Sequence, residues 1–331
     1  QGNLKTVFAG YENAVPQESI LMREFGFESG SKVGDEYQYG VELTRPHGHT
    51  TAAPGVFPAL NQPVARQSPK AKLQPYQHYL RERVTYDVLS RCQDSSQAAK
   101  SELGATIESM RESMMFRQEV FALYGQSGLA VIGTITGDTV ILTLGSYASG
   151  MWAGNENMPL SIRNSTGATY VKDVTILSVN DSTRTLTLNP GDTTGLSVGQ
   201  TLWFQGGSPT TEPVGISYII QNTGTLYNIS AASYGLWQGN NLALSGTEDL
   251  GFKRAIQLDA QIRSRGGMGD QLGLVNPDVY TTLVGSVEAA RDFGGDQYKT
   301  AEIDRGTRQL RYFSPTGCTT IMAHPLVKHS D

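Results

Sequence analysis

The chain has 331 residues and a formal net charge of -5, from 26 basic and 31 acidic side chains. That acidic balance argues against a protein that wraps nucleic acid in a basic surface, so any contact with DNA is expected to be weak and without sequence preference. Charged residues are only 17% while glycines number 37, which favours turn-rich β structure in a chain long enough for two or three domains.

Two cysteines, Cys92 and Cys318, lie far apart in sequence. A disulfide framework is not expected, and a reducing compartment fits. No apolar run is long enough for a membrane span and no signal peptide is recognisable, so a soluble protein made inside a cell is expected. Asn-x-Ser/Thr sites at Asn164, Asn180 and Asn228 then read as turn composition rather than glycan acceptors.

In chain order, residues 1–35 are a polar N-terminal arm with one short helix suggested by Pro16 and by Ile20, Leu21 and Phe25 behind it. From 36 to 45, Tyr37, Tyr39, Val41 and Leu43 alternate with polar residues or glycine, the period of a half-buried strand. Residues 46–72 hold five prolines (Pro46, Pro54, Pro58, Pro63 and Pro69) and almost no periodicity, so they are expected to be extended and without a core of their own. A second strand is predicted over 76–89, with Leu80, Val84, Tyr86 and Val88 on one face. Residues 36–93 thus form a β-ribbon with a proline-rich tip, and a ribbon of this kind is marginal alone in water, with open edges that invite pairing with another chain.

A helix is predicted over 94–125, with Leu103, Ile107, Met110, Met114 and Phe121 on one stripe. Asp94 and Ser95 are its expected N-cap and Gly125 its left-handed close. Residues 128–212 carry few charges and read as short strands at close spacing with Gly-, Asn- and Asp-rich turns, a small inserted barrel or sandwich. Residues 213–331 mix strand and helix. A capping box at Ser245 to Glu248 opens one helix that stops at Gly266-Gly267, a strand covers 271–275, Asn276-Pro277 caps a second helix, and two closing strands turn at Gly317.

Catalytic motifs are weak. Gly195-Leu196-Ser197-Val198-Gly199 matches a nucleophile elbow in letters, but that motif needs a strand before the serine and a helix after it, and here a strand is predicted after it. Gly267-Met268-Gly269 with Gly273 misses a dinucleotide fingerprint, because a helix precedes it and a strand follows. His47-Gly48-His49 lacks nearby ligands to complete a metal site. No cofactor, metal or catalytic residue is assigned, and no enzymatic activity is expected.

The order of arm, ribbon, long helix, β insertion and closing α+β domain resembles the major capsid proteins of tailed bacteriophages, the Hong Kong ninety-seven fold. Tyr37 to Leu43 looks like the rising strand of that family's E-loop, and Thr85-Tyr86-Asp87-Val88-Leu89 like the strand leading into its spine helix. Arg117-Gln118-Glu119 to Leu123-Tyr124-Gly125 looks like that helix's close, and Leu274-Val275-Asn276-Pro277-Asp278-Val279-Tyr280 is similar to a strand-turn-helix of the axial domain. The resemblance implies an α+β fold on a long spine helix, with an extended β-ribbon loop and an inserted β domain. It implies a subunit forming hexamers and pentamers in the icosahedral head around double-stranded DNA, assembled in the host bacterial cytoplasm. Partners would be copies of itself and scaffolding, portal and cement or decoration proteins, with no membrane. Within the ribbon, Arg45, Pro46, His47, Phe57, Pro58, Arg66, Lys70 and Lys72 are the candidate assembly-interface residues. The family's crosslinking lysine is not carried over, since neither Lys70 nor Lys72 sits in a recognisable motif. A β-rich adhesin or carbohydrate-binding protein, and a hydrolase using Ser197, are the competing classes.

Overall fold

In the computed structural model, which describes residues 21, 32–33, 36–82, 96–242, 251–292, 309–314 and 317–331, the first sheet holds β1 (Lys32–Val33), β2 (Glu36–Gly40) and β3 (Lys70–Leu73) in antiparallel order β1-β2-β3. Tyr37 faces Leu73 and Tyr39 faces Ala71. The return strand therefore sits earlier than predicted: residues 76–82 carry no strand, and 83–89 lie outside the described residues. Burial fixes this pairing, because Ala71 and Leu43 close a small cluster with Ile229, flanked by Val41, Leu73, Tyr227, Tyr234 and Trp237. Register follows whichever face has a core to meet.

Helix α1 (Ser96–Tyr124) has 29 residues, about 44 Å at 1.5 Å per residue. Its expected caps Asp94 and Ser95 lie outside the described residues. At the other end the left-handed residue is Gln126 (φ 65°) rather than Gly125. Gly125 is needed for space, since a Cβ there would lie 2.0 Å from the Pro213 carbonyl oxygen.

The barrel follows. Strands β4 (Ala130–Thr136), β5 (Thr139–Leu142), β6 (Pro159–Arg163), β7 (Tyr170–Asn180), β8 (Thr185–Leu188) and β9 (Thr201–Phe204) close in the order β4-β5-β8-β7-β6-β9, with a short helix α2 (Ser149–Trp152) between β5 and β6. Every neighbouring pair is antiparallel, and β4 with β9 makes the closure through Ala130 opposite Leu202 and Val131 opposite Thr201. Alternation is clear in β5 and β8, where Val140, Leu142, Leu186 and Leu188 are buried between half-buried partners. All four residues of β9 are buried. Leu202 and Phe204 belong to the core, while outward-facing Trp203 is covered by Gly128 and Gly167 and donates its indole N–H to Thr201 Oγ1 at 2.8 Å.

The barrel's core does not stop at its strands. Val120, Phe121, Leu123 and Tyr124 of α1, Trp152 of α2, Leu21 and Leu326 all join one continuous cluster with Ile132, Leu160, Ile176 and Leu202. This overturns the fold class expected from the resemblance. Among the described residues the molecule is mostly β, organised on a closed six-stranded antiparallel barrel with few helices, and is not a helix-rich capsid fold laid along a spine. The long helix that suggested a spine forms, but it does not act as one. Among its described side chains burial begins only at Glu119, whereas Ile107, on the predicted apolar stripe, is 64% exposed. The helix is an end-plug with an overhang.

After the barrel come helix α3 (Ile216–Ile220) and the hairpin β10 (Thr225–Leu226) to β11 (Ile229–Ser230), which turns through left-handed Tyr227 and Asn228. Helix α4 (Phe252–Ser264) has its predicted capping box outside the described residues. Strand β12 (Gln271–Val275), helix α5 (Pro277–Asp292), β13 (Gln309–Ser314) and β14 (Gly317–Ala323) form a sheet of order β12-β14-β13, with β12 parallel to β14. Asn276 caps α5 by accepting from the Asp278 N–H at 2.9 Å. Residues 324–331 then return to the barrel, where the N–H groups of His329 and Ser330 donate to the Tyr147 and Gly145 carbonyls.

Candidate functional site

Beyond Gly40 the two arms of the ribbon keep their pairing, and past Leu43 they lose their core. Val41 N–H donates to Pro69 O (2.9 Å) and Leu43 N–H to Gln67 O (3.2 Å), and the last bridge exchanges two hydrogen bonds between His47 and Val64 (3.0 and 2.8 Å). Past it, Thr50 Oγ1 accepts from Asn61 N–H at 2.9 Å, and Asn61 Nδ2 donates to His49 O at 2.8 Å. The proline-rich stretch is thus a hairpin in its own right. Prolines 46 and 63 flank the bonded His47–Val64 pair, where the ladder asks for no N–H, whereas Pro69, opposite Val41, accepts its bond but has no N–H to return one.

Every residue from 45 to 68 is exposed except Thr50, which is half-buried. The tip carries the largest exposed apolar side chains of the region, Phe57 at 101% and Leu60 at 84%, with Val56 and Val64 beside them. Exposed apolar residues are ordinary singly, but several on one hairpin with two open edges are the kind of surface that suits a contact. The segment has Arg45 and Arg66 and no acidic residue, a charge of +2 in a chain of -5. The ion pair Arg66–Glu42 (3.1 Å) is exposed on both sides and adds little to rigidity.

The structure divides the candidate interface residues. Arg45, Pro46, His47, Phe57, Pro58 and Arg66 lie on the exposed distal hairpin. Lys70 and Lys72 lie on β3, either side of buried Ala71, where Lys72 faces Glu36 at 3.4 Å and its backbone N–H donates to Tyr227 O. Val56, Leu60 and Val64 were missed at the sequence level. Their signal was three apolar side chains in a stretch with no periodicity to bury them.

At its root the ribbon meets the barrel. The His78 ring stacks on Phe121 with centroids 4.7 Å apart, Phe121 meets Phe204 edge-on at 5.4 Å, and the Arg117 guanidinium lies 4.2 Å over the Phe204 ring. Burial, with Arg117 nearby, pushes the His78 imidazole down from its ordinary value. Tyr76 Oη accepts from Gln126 Nε2 at 3.2 Å.

The remaining motifs sit in turns. Ser197 lies in the loop before β9, its backbone N–H donating to Gln200 Oε1 at 2.9 Å, and a strand rather than a helix follows. Among the described residues no group of three or more His, Cys, Asp or Glu could hold a metal ion, and no helix is long and apolar enough to cross a membrane. Asn164 and Asn180 accept hydrogen bonds within their own turns. No protein-family model, curated protein or solved structure matches the chain.

Proposed function

We propose that the protein is a structural subunit that assembles with copies of itself into a closed shell, the major capsid protein of a bacteriophage head. One observation carries the proposal: residues 45–68 form a hairpin with exposed apolar residues at its tip that none of the described residues covers. A basic hairpin on an acidic chain is complementary to other copies of that chain. An arm that each subunit both gives and receives repeats one modest contact at every interface, which suits a lattice. The reading rests on this arm and not on the family fold. Hexamers and pentamers around double-stranded DNA, with scaffolding, portal and decoration proteins as partners and assembly in a bacterial cytoplasm, belong to the same proposal.

The test is negative-stain microscopy and light scattering of the purified protein over a concentration series. Closed particles of uniform size are the expected result. A protein that stays monomeric and binds on a glycan array would replace the proposal with the adhesin class, and hydrolytic turnover abolished by Ser197→Ala would replace it with the hydrolase class.

A further inference from the structure

Where ribbon, helix and barrel meet, the structure buries an acid. Glu212 is 5% exposed, and its Oε1 has no hydrogen-bond partner. Its other oxygen receives only a long contact, 3.4 Å from the Gln126 N–H. Gly207 has no side chain at this point for a reason, since a Cβ there would lie 2.2 Å from Glu212 Oε1. The carboxyl is packed in, not merely covered.

Gln126 ties this acid to the ribbon. Its amide Nε2 donates both to the Glu212 carbonyl (2.9 Å) and to Tyr76 Oη (3.2 Å) on the returning arm, while its backbone N–H points at the Glu212 carboxyl. It does so in the left-handed region (φ 65°), a conformation unfavourable for a side-chain-bearing residue and held only by what surrounds it. The other charged or titratable groups facing this junction are Arg117 from α1, Arg163 from β6, and Tyr76 and His78 from the ribbon. Arg163 is spent on the carbonyls of Gly207, Gly167 and Ala168, and Arg117 lies over Phe204. Neither arginine forms an ion pair with Glu212.

We infer that Glu212 is a proton-operated latch on the ribbon: with the carboxyl neutral, Gln126 holds the returning arm through Tyr76, and with the carboxylate formed, the buried charge loosens this junction. Burial raises the Glu212 pKa to about 7, against smaller lowering effects of the Gln126 amide, Arg117 and Arg163. Once the junction opens and water reaches the group, its ordinary value near 4.5 returns. A group whose closed-state pKa is the higher one favours the closed state fully below the open value and loses that preference as pH rises to the closed value. The attachment is therefore firm below about pH 4.5, weakens up to about pH 7 and is level above it. The inference concerns the single subunit and stands apart from the shell reading.

The test is hydrogen–deuterium exchange of the unassembled full chain at pH 5, 6, 7 and 8, corrected for the intrinsic rate. Opening of 74–82 and 205–213 is expected to rise about sixfold per pH unit from 5 to 7 and by about twofold or less from 7 to 8. Residues 271–275 and 317–323, in the far sheet, are expected not to follow. Glu212→Gln is expected to remove the dependence. A flat profile in the natural protein, an unchanged profile in E212Q, or a parallel rise in the far sheet overturns the latch. Should E212Q not fold, a carbon-13 titration of the Glu212 carboxyl in the natural protein decides, with a midpoint near 7 supporting the inference and one near 4.5 overturning it. Neither readout requires a particle, so failure here leaves the shell proposal standing.

Discussion

The barrel and the ribbon are both antiparallel β structure, yet one is buried on its inner face throughout and the other is open on nearly every side. The barrel's strands find partners on both edges and close, so β4 has no free edge left where it meets β9. Strands β2 and β3 are backed by a cluster only as far as Leu43 and Ala71. Beyond that point backbone pairing continues without a core. Hydrogen bonds can hold a hairpin's shape, but burial is what makes a strand pair contribute to stability. The two regions should therefore answer to different measurements, the barrel to denaturation and the ribbon to assembly.

The largest expected effect lies in the barrel. Ile176 is fully buried on β7 and part of the continuous core. Ile176→Ala should cost about 2–5 kcal/mol, the range for a large-to-small change at a site that cannot collapse. Urea denaturation followed by far-ultraviolet circular dichroism measures it. A loss below about 1 kcal/mol would mean that the barrel interior repacks freely and that its contrast with the ribbon is overstated.

A smaller effect is expected where the helix end, the N-terminal segment and the C-terminal tail are joined. Glu119 Oε1 accepts from the Leu21 N–H at 2.9 Å and lies 3.1 Å from His324 Nε2, with Glu119 and His324 both buried. Glu119→Leu would leave two buried polar groups unpaired, at about 1–3 kcal/mol. Increased exchange at residues 324–331 should accompany the loss, since His324 opens that segment. If stability falls while the tail stays protected, the pair does not fasten it.

How far this contrast could be read from the sequence depends on the range over which each feature acts. The alternation of Val140 and Leu142, and of Leu186 and Leu188, is local, so individual strands were legible. The closure of Ala130–Val131 onto Thr201–Leu202 spans the whole barrel and leaves no local pattern. Helix α1 was legible as an element, but its length was mistaken for a role, because a stripe from Ile107 to Phe121 says which residues share a face and not whether anything covers it. The ribbon was legible as an excursion lacking a core. Its return strand was not, because Lys-Ala-Lys-Leu offers only Ala71 and Leu73 to bury, whereas 76–89 carries a stronger apolar alternation. Glu212 left no trace, since a carboxylate in the turn-rich sequence before Pro213 gives no hint of burial.

Shortening the ribbon should barely move stability. His47 and Val64 form a hydrogen-bonded pair, the geometry a two-residue Asn-Gly turn requires. Replacing residues 48–63 by Asn-Gly shortens the loop by about three halvings, each favourable by about 0.6 kcal/mol, partly offset by the lost Thr50–Asn61 contact. A net change within about 1–2 kcal/mol is expected, with the fold intact and closed particles gone. Replacing all of 46–72 would be a poorer test, because it removes β3 and Ala71 from the root cluster. Particles of normal size and stability from the shortened protein would end the role assigned to the tip.

The smallest effect on the subunit belongs to Phe57, and it separates the two regions most sharply. Its side chain is 101% exposed, so no apolar area is removed from water in the single chain and Phe57→Asp should change stability by no more than about 0.5 kcal/mol. In an assembly the same ring would be the largest apolar side chain of the tip. Aromatic residues seated in a partner's pocket are the usual energetic centres of an interface, at about 2 kcal/mol or more each. Placing a carboxylate there also reverses the charge complementarity between a basic hairpin and an acidic chain. Phe57→Asp should therefore melt like the natural protein while raising the concentration needed for particles by tenfold or more, as read by light scattering across a dilution series. A variant that assembles at the natural concentration would show that the ribbon's exposed tip is not what joins one copy to the next.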